Sequence, residues 1–231
     1  MNILVFGATG MVGQGVLREC LEARDVGRVV AVGRKPTGIV HERLAEIVAP
    51  DLMHLDSYRG QLAPFDACFF CLGVSSVGMN EADYTRVTYD LTLSVAQLLV
   101  RENSQMIFTY VSGAGTDSSA QGKRMWARVK GRTENALIAL GFKGAYAFRP
   151  GVIQPMHAVR SKTTAYRVAY TLATPLFGVI RRFWPRSIVT SEEVGLAMLG
   201  VARRGYARAI LEVPDIQDAV GTSAAGRIRS A

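Results

Sequence analysis

The chain has 231 residues, 49% of them hydrophobic and 20% charged, a balance that excludes a disordered protein and can bury the core of one α/β domain. The formal net charge of +8 is uneven: residues 121–186 carry thirteen Lys or Arg against one acid, Glu134, so that segment holds +12 and the rest −4. Three cysteines, an odd number, argue against a disulfide framework, and no His/Cys/Asp/Glu cluster has metal-ligand spacing.

The first element is the apolar run Asn2-Ile3-Leu4-Val5-Phe6, a strand that passes straight into Gly7. No basic leader or cleavage site precedes it and the run is too short to span a bilayer, so a cytoplasmic protein without a targeting segment is expected. Further strands are predicted at 28–32, 46–49, 66–72, 106–111, 144–148 and 209–213, with helices near 11–23, 80–101, 123–140 and 190–204. Continuously apolar strands alternating with helices imply a Rossmann-type doubly wound parallel sheet of about seven strands covered on both faces. No linker divides the chain, so residues 1–220 read as one domain with a small substrate-side helical insertion near 152–190. Residues 221–231 read as a flexible tail.

Strand 2–6 runs into Gly7-Ala8-Thr9-Gly10-Met11-Val12-Gly13, followed by a helical pattern. Gly7 permits the tight turn, Gly10 lets backbone approach a pyrophosphate, and Gly13 allows close helix–strand packing. The opening turn of the helix, Thr9 through Gly13, then presents free N–H groups and the positive end of a dipole to the phosphates. The second strand ends in Gly33-Arg34-Lys35, where an NAD site usually has a carboxylate for the ribose 2′-hydroxyl. Two cations at that point predict NADP(H) in preference to NAD(H), the alternative being that Arg34 stacks on adenine without discriminating. Cys68 and Cys71 lie three apart in a strand-like run, so their thiols are expected on opposite faces and structural rather than redox-active.

With these residues the chain resembles the short-chain dehydrogenase/reductase superfamily, most closely its atypical and extended members, the NAD(P)-dependent epimerase/dehydratase-like and TIP30-like proteins. The resemblance covers about residues 1–215. Its landmarks are Gly7-x-x-Gly10-x-x-Gly13, Arg34, Asp51-Leu52, Cys71-Leu72-Gly73, Ser112, Lys130 and Arg149-Pro150-Gly151. It implies that Asp51 accepts from the adenine amino group, that Cys71, Leu72 and Gly73 line the nicotinamide-side ribose, and that Pro150, Gly151 and Val152 back the nicotinamide. Asp51 in a simple turn role is the alternative.

The superfamily's catalytic set is a Ser followed by Tyr-x-x-x-Lys on one helix face, where the ammonium favours the phenolate. Here Ser112 and Lys130 are present, and Trp126 stands at the usual Tyr position. An indole N–H only donates and does not titrate near neutral pH, so the usual proton transfer does not carry over. Lys130 can still hold ribose hydroxyls, and Ser112 either binds a carbonyl or caps the turn that follows it. Thr88 stands near the place of the family's Asn, Tyr84, Tyr89, Tyr166 and Tyr170 are substitute phenols, and His157 is the one histidine expected near substrate.

The resemblance therefore implies an NADP(H)-binding oxidoreductase acting on a small carbonyl or related substrate, anionic if the basic segment lines its site. The alternative is a non-catalytic NADP(H)-responsive regulator or scaffold. No nucleic-acid motif is present, and a monomer or homodimer is expected. Phe177, Ile180 and Trp184 beside Arg181, Arg182 and Arg186 also fit a peripheral membrane contact, the lesser reading beside a substrate lid.

Overall fold

In the computed structural model the described residues are 1–154, 156 and 188–224. Seven parallel strands form one sheet in the order β3-β2-β1-β4-β5-β6-β9. They are β1 (Asn2–Phe6), β2 (Arg28–Gly33), β3 (Leu44–Val48), β4 (Ala67–Phe70), β5 (Ile107–Val111), β6 (Gly144–Phe148) and β9 (Ile210–Leu211). This is the Rossmann-type sheet expected from the alternating apolar runs. Order reverses between β1 and β4, which opens a crevice at the carboxyl ends of those strands.

Two helices around the sheet follow the apolar periodicity: α1 (Met11–Glu22) and α5 (Met125–Ala139). The predicted helix 80–101 is instead three pieces, α3 (Glu81–Thr85), a π turn (Arg86–Asp90) and α4 (Leu91–Glu102). Asn80 starts it by accepting from the Asp83 N–H at 2.9 Å. The predicted helix 190–204 is α6 (Ser191–Arg204), opened by a capping box between Thr190 and Glu193.

The central strands β1, β4 and β5 bury both faces. Ile3 and Val5 pack with Val16, Leu17 and Cys20 of α1 and Val194 and Met198 of α6 on one side. Leu4 and Phe6 face the opposite layer with Val95 and Leu99 of α4. That second layer holds a row of stacked rings, Phe6–Phe70–Phe108–Phe142, with centroids 5.5, 5.9 and 5.1 Å apart in turn. Cys68 belongs to this layer and Cys71 packs against the other, as their spacing predicts. Burial raises both thiols, Cys71 to about 12, which leaves neither poised as a thiolate.

Several elements had no signal strong enough to read in sequence. A 3₁₀ turn (Asp56–Tyr58) leads into the short α2 (Arg59–Leu62), and β7 (Val152–Gln154) pairs in parallel with β8 (Ile188–Thr190) as a second sheet. Helix α7 (Val213–Ala224) carries the chain past Gly221, where the tail was expected to begin. It starts at Val213, which cuts the predicted strand 209–213 to two residues. His157, Tyr166, Tyr170 and the basic stretch 160–186 lie outside the described residues. Among the described residues no helix is long and apolar enough to cross a membrane, and no group of three His, Cys, Asp or Glu could hold a metal ion.

Candidate functional site

The turn after β1 is built by close approach. Gly7 has φ +79°, and a Cβ there would stand 2.8 Å from the Cys71 carbonyl carbon where β4 ends. A Cβ on Gly13 would fall 2.1 Å from the Gly7 carbonyl oxygen, so α1 lies directly on the turn. Gly10 is the N-cap of α1; it offers no side-chain cap, and the first turn of α1 carries no acid. Its leading N–H groups are therefore left without a side-chain acceptor, in the orientation that favours an anion. At the far end of α1, the Arg43 guanidinium donates to the carbonyls of Ala23 (2.8 Å), Val26 (2.7 Å) and Leu21, which complements the negative end of the helix.

A cleft of about 410 Å³ opens beside this turn, lined by Gly7, Ala8 and Thr9, by Gly33, Arg34 and Lys35 at the end of β2, and by Leu52 and Leu72. Five expected cofactor residues besides Gly7 thus meet in one place. The end of β2 has no carboxylate, as the sequence shows, yet the next strand supplies one to the same cleft. Glu46 of β3 lines it together with Thr37. Its Oε1 accepts from the Thr37 N–H at 2.7 Å and from the Thr37 hydroxyl at 2.5 Å. Sequence reading missed Glu46 because register, not spacing along the chain, sets it opposite Ala31. The one available signal was an acid at the first position of the predicted strand 46–49.

Asp51, Cys71 and Gly73 do not line the cleft. Both carboxylate oxygens of Asp51 are engaged locally, Oδ1 by the Met53 N–H and Oδ2 by His54 Nδ1, each at 2.8 Å. The His54 hydrogen bond lowers the Asp51 pKa, and the same bond raises that of His54. This is the turn role left open by the sequence. Cys71 continues the β1–β4 ladder through its N–H to the Phe6 carbonyl.

A second group of expected residues gathers at the carboxyl ends of β5 and β6. The Ser112 N–H donates to Phe148 (2.7 Å) and the Ala114 N–H to Pro150 (2.9 Å), which ties the Ser112 loop to the strand that leads into Gly151 and Val152. The Ser112 hydroxyl is buried 3.1 Å from that of Thr116. Thr116 gives its own proton to the Gly113 carbonyl, so Ser112 is the donor of the pair. On α5, Lys130 follows Trp126 by one turn. Its ammonium sits 5.5 Å from the centre of the Tyr110 ring, and burial lowers its pKa to about 8 against a smaller opposing effect of Glu134.

The substitute phenols fare poorly. Tyr84 is buried, as is Tyr110, a phenol not among the expected substitutes, and burial raises both pKa values, away from neutral acid–base work. Tyr89 lies under the Arg132 guanidinium at 5.6 Å. Thr88 sits in the π turn, its carbonyl taken by the Thr92 hydroxyl at 2.5 Å. Arg149, a landmark in the sequence, is structural: it forms a buried pair with Glu134 at 2.5 Å and also reaches Ser118 and Glu212.

Comparison with known proteins places this geometry. Residues 3–122, just over half the chain, match the model of the NAD dependent epimerase/dehydratase family. The chain belongs to that family. FMP52 of Eremothecium gossypii, named as mitochondrial, is 31% identical over 156 residues, 66% of each chain. HTATIP2 (TIP30) of Rattus norvegicus is 27% identical over 154 residues, 66% of this chain and 62% of that one. The matched stretch thus spans less than two thirds of these relatives' own length. The fold matches that of the Bordetella bronchiseptica enzyme WbmF, solved with NAD+ and UDP, with a TM-score of 0.67 at 14% identity over 99% of this chain and 78% of WbmF.

The superfamily resemblance read from the motifs is borne out by these matches. The expected cytoplasmic location is not. The fungal relatives are named mitochondrial, which points away from a purely cytoplasmic protein and overturns an expectation that rested on the absence of a visible leader.

Proposed function

We propose that this epimerase/dehydratase-family protein is an NADP(H)-dependent oxidoreductase acting on a small carbonyl or related substrate. The observation that carries the reading is a cleft lined by Gly7 and Thr9 of the turn that leads into the uncapped N-terminus of α1, and by Arg34 and Lys35. The residues fit a dinucleotide: Gly7 and Gly13 let the end of β4 and helix α1 close directly on the turn, and the N–H groups left without a side-chain cap at the start of α1 suit a pyrophosphate. Arg34 and Lys35 would pair with a 2′-phosphate, and Lys130 would hold the ribose hydroxyls near the reacting ring. Pro150, Gly151 and Val152 would back that ring.

When bound, the dinucleotide supplies the hydride. Ser112 would turn its hydroxyl from Thr116 to a substrate carbonyl and orient it. The proton would come from water or from Ser112, because the described phenols near Lys130 are buried. A nucleotide-linked sugar is a candidate substrate, since the similarly folded MoeE5 was solved with UDP-glucose and NAD.

The test is NADPH oxidation across a panel of carbonyls that includes nucleotide sugars. Accelerated oxidation that falls at least tenfold in Ser112→Ala is expected, on the scale of losing one positioned hydrogen bond. No acceleration with any member, together with no effect of Ser112→Ala, overturns the reading. Trp126 favours a second reading, a protein that binds NADP(H) without chemistry. In that case Trp126→Tyr creates turnover where the wild type has none. A wild type that already turns over, with a mutant no faster, removes this alternative.

A further inference from the structure

The cleft beside α1 carries charges of both signs. Arg34 and Lys35 are exposed at its rim and form no ion pair among the described residues. Glu46 faces the same space from β3. Its Oε1 is held by two donors of Thr37, while its Oε2 takes no hydrogen bond from a described residue. Thr37 lies two residues past Lys35, and its hydroxyl also accepts from the Ile39 N–H at 3.1 Å. The Glu46–Thr37 contact thus tethers the loop bearing the cations to the edge strand, and fixes one negative charge beside them.

We propose that Glu46 is a specificity-determining residue that moderates the cleft's preference for a 2′-phosphorylated dinucleotide, so that NAD(H) is also accommodated. The proposal rests on the dinucleotide reading above. A free carboxylate oxygen accepts from a ribose 2′-hydroxyl and repels a 2′-phosphate, whereas Arg34 and Lys35 do the opposite. Because Thr37 immobilises the carboxylate, it cannot swing away when the phosphate arrives. Discrimination is then the difference between two nearby fields, and not the work of the cation pair alone.

The experiment measures the Kd of NADP+ and of NAD+ by calorimetry on the purified full chain, for wild type, Glu46→Gln and Glu46→Ala. The glutamine keeps an oxygen for Thr37 and removes the charge; the alanine removes both charge and tether. Glu46→Gln is expected to raise the ratio of the NAD+ to the NADP+ dissociation constant by about tenfold, the scale of a unit charge acting across a partly solvated cleft. Glu46→Ala is expected to shift it in the same direction. An unchanged or lowered ratio in the glutamine variant, with both dinucleotides still bound, overturns the role of Glu46 and leaves the dinucleotide reading standing. A shift confined to the alanine variant also overturns it, by assigning the effect to loop position instead of charge. A wild type that binds neither dinucleotide overturns the inference and the reading together.

Discussion

Lys130 shows how a single side chain can be stabilising to one purpose and costly to another. The side chain is half-buried with its ammonium over the Tyr110 ring, and desolvation lowers its pKa from 10.5 to about 8. Between about 8 and 10.5 the unfolded chain holds a proton that the folded chain has released. Stability from this group therefore rises with pH through that window, and the penalty of burying the charged form is in full force below about 8. Lys130→Met is expected to raise the Tm at pH 7 while weakening dinucleotide binding by about tenfold or more, the scale of one charge-assisted hydrogen bond. The wild type's affinity should fall as pH rises through about 8, and the methionine variant should lack that step. Thermal melts and calorimetry from pH 6.5 to 9.5 check both; a lowered Tm at pH 7 contradicts the burial penalty. At this scale the sequence disclosed Lys130, Ser112, Arg34 and the glycines, because each stands at a fixed offset from an element it also announced. It concealed Glu46 and the engagement of Asp51, since both depend on partners chosen by folding.

Helix α5 owes its seat to one small residue. A Cβ on Gly131 would fall 1.8 Å from the Asp117 carbonyl oxygen. That carbonyl has little freedom to retreat, because the Asp117 side chain is held by the N–H groups of Ser119 (3.0 Å) and Gly122 (2.6 Å) and by the Ser119 hydroxyl (2.7 Å). The Asp117 N–H in turn donates to Ala127 of α5. Gly131→Ala must push the helix outward, with a cost of about 1–3 kcal/mol from overpacking. It should also displace Lys130, so dinucleotide affinity falls with stability, in contrast to Lys130→Met. Denaturant unfolding alongside binding tests this, and an alanine variant as stable as wild type would show that the loop yields. Elements of this size were read well where burial is complete, as in β1, β4 and β5, whose apolar runs have no other use. The π turn left no trace in the apolar pattern of 80–101. Strands β7 and β8 are three residues each and pair across a long sequence interval, below what local pattern can reveal.

For the whole molecule, alternation of strand and helix sufficed to predict the parallel sheet, and the glycine turn marked the edge where the cleft opens. The residues predicted to share one site nonetheless separate into two groups, one around the cleft at β1–β3 and one beyond β4 at the ends of β5 and β6. Glu46 and Ser112 stand on or beside strands four places apart in the sheet, roughly 19 Å at the usual strand spacing. At that separation and without shared partners, substitutions contribute independently. The variant carrying both Glu46→Gln and Ser112→Ala should show the altered dinucleotide ratio of the first and the altered turnover of the second, each undiminished. A coupling above about 0.5 kcal/mol in that cycle would mean the two groups communicate. On the proposed function, the strand order gives this protein two separately adjustable halves: selection or design would retune which dinucleotide is held without disturbing what is done with it.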